Sequence, residues 1–466
     1  LNVTKKIVVL LLGIFALTIA ADRMVLAELF TATTCPPCVT GNATLTNILK
    51  TREDWLAVVR WHVWWPATGD PFYHHNQPMN QWHVSKNSIN AVPNLVVDGT
   101  NVGIPNALRI DGRKTVESPF VMNLYRDYTP MGGDSAFFGQ GTGTLKLEIT
   151  NEEDKRTFTL FGAVTESKVK YTGSNGDPEH HQAVFETITP YQGTKITIEA
   201  DETIFLDFEF DIHDTIRTLD LTWEHPVEDT NVEIVFWAQD MAALNKEVLQ
   251  ACKVKVTGQK DFSVSDIKVI DASGDGVLGP SEQGEVQVTV TNNDPEGALY
   301  DIKLYLEVDN EEVMVTKGKT TIESIAPGES YTVEGEEALA IETSASYDGS
   351  IFNLSVTAGS GDGSMCTYTQ PISVEEGSPS SAPFSFSLTT LVREKALAEL
   401  SVPAACDAEL VLLDASGRRV KTLYAGKASA GVNLVALAFE ELPDGAYFIK
   451  AVCGNYTRVQ KLVILH

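Results

Sequence analysis

The chain has 466 residues, too many for one hydrophobic core, and its 43% apolar content excludes a disordered polymer. A net charge of −28 disfavours nucleic acid as a partner, because phosphate contacts need a basic surface. Six cysteines are too few for a disulfide scaffold but enough for one redox pair and one or two bridges.

Residues 1–21 read as a signal peptide. Lys5 and Lys6 give the basic start, Ile7 to Ile19 is an apolar run too short to span a bilayer comfortably, and the small residues Ala20 and Ala21 follow. Cleavage there leaves a mature chain from Asp22. No later stretch is long and apolar enough for a transmembrane anchor. The expectation is an exported protein of the periplasm, outer-membrane surface or extracellular space, where disulfides persist. Charge is uneven along it. Between Asp22 and Tyr128 nine acidic residues balance nine basic ones, whereas 54 acidic and 24 basic residues follow. A neutral head thus precedes an acidic body.

Met24–Thr31 ("MVLAELFT") predicts a buried strand. "TCPPC" follows at once, and the next residues have helical spacing at Leu45, Ile48 and Leu49. "WLAVVRWHVWW" predicts a second strand. "GDPFYHHNQPMNQWHVSKNSI" reads as a polar, aromatic insertion, partly helical. "AVPNLVVDG" is a proline-led strand with which "TNVGI" can pair, and "DGRKTVESPFVMNLYRD" is expected to close the unit as a helix. Beyond Tyr128 alternating runs such as "GTLKLEIT", "TIFLDFEFDI" and "NVEIVFWAQD" predict a β-sandwich over residues 129–260. A second β block covers 261–376, the Ser/Pro/Gly stretch at 377–383 is a linker, and a last β block covers 384–466.

A cysteine at a helix N-terminus faces free N–H groups and the positive end of the helix dipole, which favours thiolate. Cys35 has that place, and Cys38, one turn on, can attack a mixed disulfide at Cys35. Pro36 and Pro37 suit a helix start. The spacing thus makes Cys35 the nucleophile and Cys38 the resolving thiol. A zinc site and an inert bridge are the alternatives. His74, His75 and His83 fit no usual zinc spacing with the pair. Five of the seven tryptophans lie between Trp55 and Trp82. They read mainly as residues alternating between core and surface, and the nearby histidines, His62 included, as loop residues.

"VLAELFTATTCPPC" and "NAVPNLVVDG" together resemble a thioredoxin-like domain, and with "GDPFYHHN" and "NVEIVFWAQDMAALNKEVLQACKV" they resemble the outer-membrane-protein-28-related family over residues 24–257. The resemblance implies an α/β thioredoxin-like fold at 22–128, followed by three all-β Ig-like sandwiches. It also implies a cis peptide before Pro93, with the Val92 backbone turned outward to pair with a bound peptide. Many thioredoxins carry a buried acid six residues before the first cysteine. Leu29 stands there, and Glu28 would point to the opposite face of its strand.

"DASGDGVLGPSE", Asp271–Glu282, has the spacing of a calcium loop. Asp271, Ser273 and Asp275 offer side-chain oxygens, Gly276 the sharp turn, Val277 its carbonyl and Glu282 a bidentate carboxylate. The expected metal is structural calcium, and a metal-free acidic turn is the other reading. The C-terminal block, with Asp414, Gly417, Leu442, Gly445, Tyr447 and the closing "KLVIL", resembles the type A sorting domain of type IX secretion substrates and other Ig-like modules. Cys406 and Cys453 could bridge within it.

The leading expectation is an exported thiol–disulfide oxidoreductase acting on protein or peptide disulfides. It needs no cofactor beyond the Cys35–Cys38 pair, and the type IX machinery is a second partner. The alternative is a non-catalytic surface-binding protein. An enzyme would expose one sulfur, and a scaffold would bury both.

Overall fold

The computed structural model describes residues 5–6, 22–130, 140–212, 215–273, 278–372 and most of 385–464. The expected linker and the expected signal peptide, apart from Lys5 and Lys6, lie outside them. The chain forms two compact units. The first holds Leu1–Ala272, Ser281–Tyr347 and Asn353–Gln370, and the second Ser273–Pro280, Asp348–Phe352 and Pro371–His466.

In the first unit, β1 (Val25–Thr31) leads into α1 (Pro36–Leu49) and returns as β2 (Leu56–His62), parallel to β1 with Val25 opposite Leu56. Every residue of both strands is buried, Glu28, Arg60 and His62 included, so neither strand alternates between core and solvent. The insertion folds as α2 (Pro71–His75) and α3 (Gln77–Lys86), capped by the side chains of Asp70 and Asn76. Then β3 (Asn94–Val97) pairs antiparallel with β1 and with β4 (Thr100–Gly103). The expected closing helix is only α4 (Ala107–Lys114). Its second half is instead β5 (Phe120–Pro130), where Phe120, Met122 and Leu124 point inward at period two.

That strand begins a change of architecture that corrects the expected fold. β5 pairs with β6 (Gly141–Asn151), and β6 with β10 (Thr203–Ile212). Meanwhile β7 (Arg156–Glu166), β8 (Ala183–Thr187), β9 (Thr194–Ile198), β11 (Val232–Gln239) and β12 (Val248–Lys255) extend the first sheet. The result is one nine-stranded sheet in the order β12–β11–β7–β8–β2–β1–β3–β4, with β9 also on β7. The seam is the parallel pairing of Ala183 with Arg60. The chain is mostly strand, with four α-helices among the described residues. A thioredoxin-like α/β head followed by three separate sandwiches is therefore not what the sequence builds. The edge that such a head would leave open at β2 is consumed by the following β segment.

Three cores follow from this. Val25, Ala27, Leu29, Leu95 and Val97 pack under α1 and α4. On the other face Leu26, Phe30, Trp61, Cys35 and Cys38 share a core with Phe161, Val235 and Trp237 of β7 and β11. The sheet of β5, β6 and β10 buries Phe120, Leu147 and Phe208 against Phe158, Ile234 and Phe236.

The next strands form a two-sheet sandwich. One sheet holds β13 (Phe262–Asp271), β14 (Gln283–Asn292), β16 (Val313–Lys317), β18 (Ser330–Val333) and β19 (Leu339–Thr343). The other holds β15 (Leu299–Val308), β17 (Lys319–Ile325), β20 (Phe352–Gly359) and β21 (Met365–Ile372). This block is tied to the preceding one. Buried Glu148 accepts from Tyr305 Oη (2.8 Å) and Lys319 Nζ (2.6 Å), and Arg126 donates to Ser364 Oγ at 3.2 Å.

The second unit is also all β among its described residues, with a three-stranded and a five-stranded sheet around Leu400, Leu410, Leu437, Phe439 and Ile449. Tyr447 Oη donates to Pro443 O at 3.0 Å. Cys453 is disulfide-bonded, and its strand pairs with the one that starts at Cys406. Asp414 and Gly417 lie outside the described residues.

Candidate functional site

The site sits where β1 ends and α1 begins. Cys35 is the N-cap of α1 in extended conformation, and Cys38 lies in its first turn. The two form a disulfide with Cα atoms 5.3 Å apart. Pro36 and Pro37 between them are exposed, but Cys35 is only 2% exposed and Cys38 fully buried. Cys35 Sγ lies 3.6 Å from the carbonyl oxygen of Val92, and the Val92–Pro93 peptide is cis. The expected Cys35, Cys38, Val92 and Pro93 are thus brought together. Gly41 makes room for this arrangement. A Cβ there would stand 2.8 Å from Pro93 Cβ, closer than real contacts allow.

Asp70 ties the turn down from the other side. Its carboxylate accepts from the Thr33 N–H (2.7 Å) and the Tyr73 N–H (3.0 Å) and sits 2.8 Å from His62 Nδ1. Burial raises the pKa of Asp70, but the His62 charge and bond and the two backbone N–H groups outweigh it and leave it lowered. His62 itself is buried, as is His83, so neither is the loop histidine that the sequence suggested. Trp61 is buried, Trp64 is exposed and Trp65 half-buried, which is the alternation expected.

Glu28 is buried on the sheet face opposite Leu29. It meets Trp61 Nε1 at 3.1 Å, Lys86 Nζ at 3.2 Å and His83 Nδ1 at 3.8 Å. Burial opposes its ionisation, but the Lys86 charge and the His83 contact outweigh burial and hold it at about 2. His83 stacks on Trp61 with ring centres 3.6 Å apart, and burial pushes it down to about 4. This charged cluster braces α3 against β1, with Lys86 also reaching Gln239 of β11 at 3.1 Å.

One part of the site escaped sequence reasoning altogether. The segment between β7 and β8 folds back over the CPPC turn. Asn175 donates from its side chain to Ala32 O and Cys35 O, each at 3.1 Å, and from its backbone N–H to Thr33 O at 3.1 Å. Gly173 lies so close to Thr33 that a Cβ would fall 2.3 Å from its carbonyl oxygen. Asp177 accepts from Asn42 Nδ2 of α1 at 3.0 Å. His180, buried beside His62, is pushed down to about 4 by that burial and by the neighbouring His62 charge. The available signal was the turn-rich "GSNGDP", which marks a loop but not its destination.

Of the expected calcium loop, Asp275, Gly276 and Val277 lie outside the described residues. Asp271 ends β13 opposite Gly284, Ser273 follows it in a bend, and the Glu282 N–H donates to Thr343 Oγ1 at 2.9 Å. Among the described residues no group of three or more His, Cys, Asp and Glu is placed to hold a metal. Cys252 and Cys366 are free thiols, and burial raises the pKa of both. No described helix is long and apolar enough to cross a membrane.

No family model and no curated protein matches the chain. Solved structures give weak likenesses. A protein from Agrobacterium tumefaciens is 10% identical over 52% of this chain and 98% of its own, with a TM-score of 0.32. The dimeric latent PorU of Porphyromonas gingivalis is 12% identical over 83% of this chain and 38% of its own, with a TM-score of 0.23. A two-domain fibronectin type III segment of chicken tenascin is 14% identical over 44% and 100%, with a TM-score of 0.14. Ig- and fibronectin-like β domains are thus among the similar structures, and at these scores the likeness assigns no function.

Proposed function

We propose that the chain is an exported thiol–disulfide oxidoreductase of protein or peptide substrates. The observation that carries this reading is the convergence at one point of the Cys35–Cys38 disulfide, the start of α1 and the Val92–Pro93 backbone. A substrate thiolate attacks Cys35 Sγ, the Cys35–Cys38 bond breaks, and Cys38 leaves as thiolate. A second substrate thiolate attacks the substrate sulfur of the mixed disulfide and releases Cys35. The substrate gains a disulfide and the chain becomes a dithiol, two electrons having passed between them. The reverse sequence reduces a substrate disulfide at the expense of the pair. The Val92 carbonyl beside Cys35 can accept a backbone N–H of the bound peptide. The C-terminal resemblance to a sorting domain fits delivery to the cell surface by type IX secretion.

Trapping tests this. With a disulfide-bearing peptide, the reduced Cys38→Ser chain should accumulate a mixed disulfide at Cys35, and the Cys35→Ser chain should not. Absence of adduct in the first variant rules the reading out. A second reading, an inert bridge in a surface-binding protein, is favoured by the burial of both sulfurs. It expects neither variant to form an adduct.

A further inference from the structure

We infer that Asn175 is a positioning residue for the Cys35–Cys38 pair, acting from a loop outside the CPPC segment. This rests on the exchange reading above. Three of its N–H groups, two from the side-chain amide and one from the backbone, reach the carbonyls of Ala32, Cys35 and Thr33. These are the residues whose conformation fixes where Cys35 Sγ stands relative to Cys38.

The amide is itself oriented. Its Oδ1 accepts from the Asp177 N–H at 2.9 Å, which leaves Nδ2 facing the turn. The loop is closed by Gly173 N–H to Asp177 O (3.2 Å) and Gly176 N–H to Gly173 O (2.9 Å). Asp177 anchors it to Asn42 on α1, and Asn42 Oδ1 in turn accepts from Thr31 Oγ1 at 3.1 Å. One loop thus holds the chain up to Cys35 and, through Asn42, the helix four residues beyond Cys38.

A disulfide closes more readily when its two cysteines are already held near closing distance, because less chain freedom is lost in closure. The Asn175 clamp supplies that restraint, and its loop also adds to the cover over Cys35. The restraint favours the disulfide over the dithiol, and the cover slows its reduction.

The test compares the full-length protein with its Asn175→Ala and Asn175→Asp variants. The aspartate keeps Oδ1 for the Asp177 N–H and removes the two side-chain donors, so it serves if alanine disturbs folding. The fraction of Cys35–Cys38 disulfide is read at fixed pH in glutathione buffers by alkylation and peptide mass mapping. That separates the pair from Cys252, Cys366 and the Cys453 bridge. The exchange equilibrium should move about tenfold toward dithiol in both variants, or about 30 mV for a two-electron couple. Reduction by dithiothreitol should also be faster, with the melting temperature of Asn175→Asp near that of the wild type. An unchanged equilibrium in both variants, or a shift toward disulfide, overturns the inference. The absolute wild-type potential, not the difference, bears on the exchange reading, so the two can fail separately.

Discussion

Glu28, Lys86 and His83 decide how this part of the molecule responds to charge. Removing one partner of a buried pair strands the other. Glu28→Gln removes the charge that pairs with the buried Lys86 ammonium and should cost about 3–5 kcal/mol in chemical denaturation. His83 adds a pH dependence. Its pKa is about 4 in the folded chain and ordinarily 6.5, so the unfolded chain binds the proton first as pH falls. Its contribution is complete above pH 6.5 and lost on the way down to about 4, on the order of 3 kcal/mol. His180 has the same sign and window. His83→Phe, which keeps a ring on Trp61, should therefore reduce the stability lost between pH 6.5 and 4.5. An unaltered slope in that variant would place the titration elsewhere. Leu29 stands where many thioredoxins carry a buried acid, and Glu28, on the opposite face, is held by Trp61, Lys86 and His83.

The strand-to-helix turn owes its form to α1. Pro36 and Pro37 occupy the first two helical positions and remove two N–H groups that would otherwise face Cys35. The Cys38 N–H is bonded to Cys35 O at 3.1 Å. Stabilisation of a Cys35 thiolate then rests more on the helix dipole than on direct donation. Gly41 is the packing hinge of the same helix. Alanine would gain about 1 kcal/mol of helix propensity, but its methyl group would collide with the Pro93 ring, and overpacking costs about 1–3 kcal/mol. Because Pro93 lies in backbone that also contacts Cys35, the collision cannot be relieved by a side-chain rotation. Gly41→Ala should lower stability and alter the rate of disulfide reduction, measured by melting and by thiol release.

At this scale the sequence was informative where burial left a clear period. β1 and β2 stood out as mainly apolar stretches, and β10 and β14 as alternations. "GRKTVE" reads as helix, but the helix ends at Lys114 and a strand starts at Phe120, just after Pro119. The loop holding Asn175 had no period at all. Its partners are carbonyl groups of a distant turn, and backbone acceptors leave no trace in residue identity.

The first unit folds as a whole rather than as a head with appended domains. The core containing Cys35 and Cys38 includes Phe161, Ala163, Val184, Val235, Trp237 and Val248, all beyond residue 128. Pairing rules do not say which later strand will cover an open sheet edge, so a boundary at 128 looked natural from charge and periodicity. A fragment of residues 22–128 would expose the β2 edge and leave Lys86 and Glu28 open to water from the β11 side. It should show no cooperative unfolding, whereas residues 22–372 should. A cooperative calorimetric transition in the short fragment would refute the shared core.

The proposed oxidoreductase needs Cys35–Cys38 to work as a redox pair although both sulfurs are buried. The most direct measurement is its reduction potential in the full-length protein, with the Cys35 thiol pKa taken in Cys38→Ser. A working redox pair requires a potential of roughly −120 to −270 mV and a thiol pKa near or below neutrality. A potential below about −300 mV, with a pKa close to that of an ordinary cysteine, would contradict it and make the pair a structural staple.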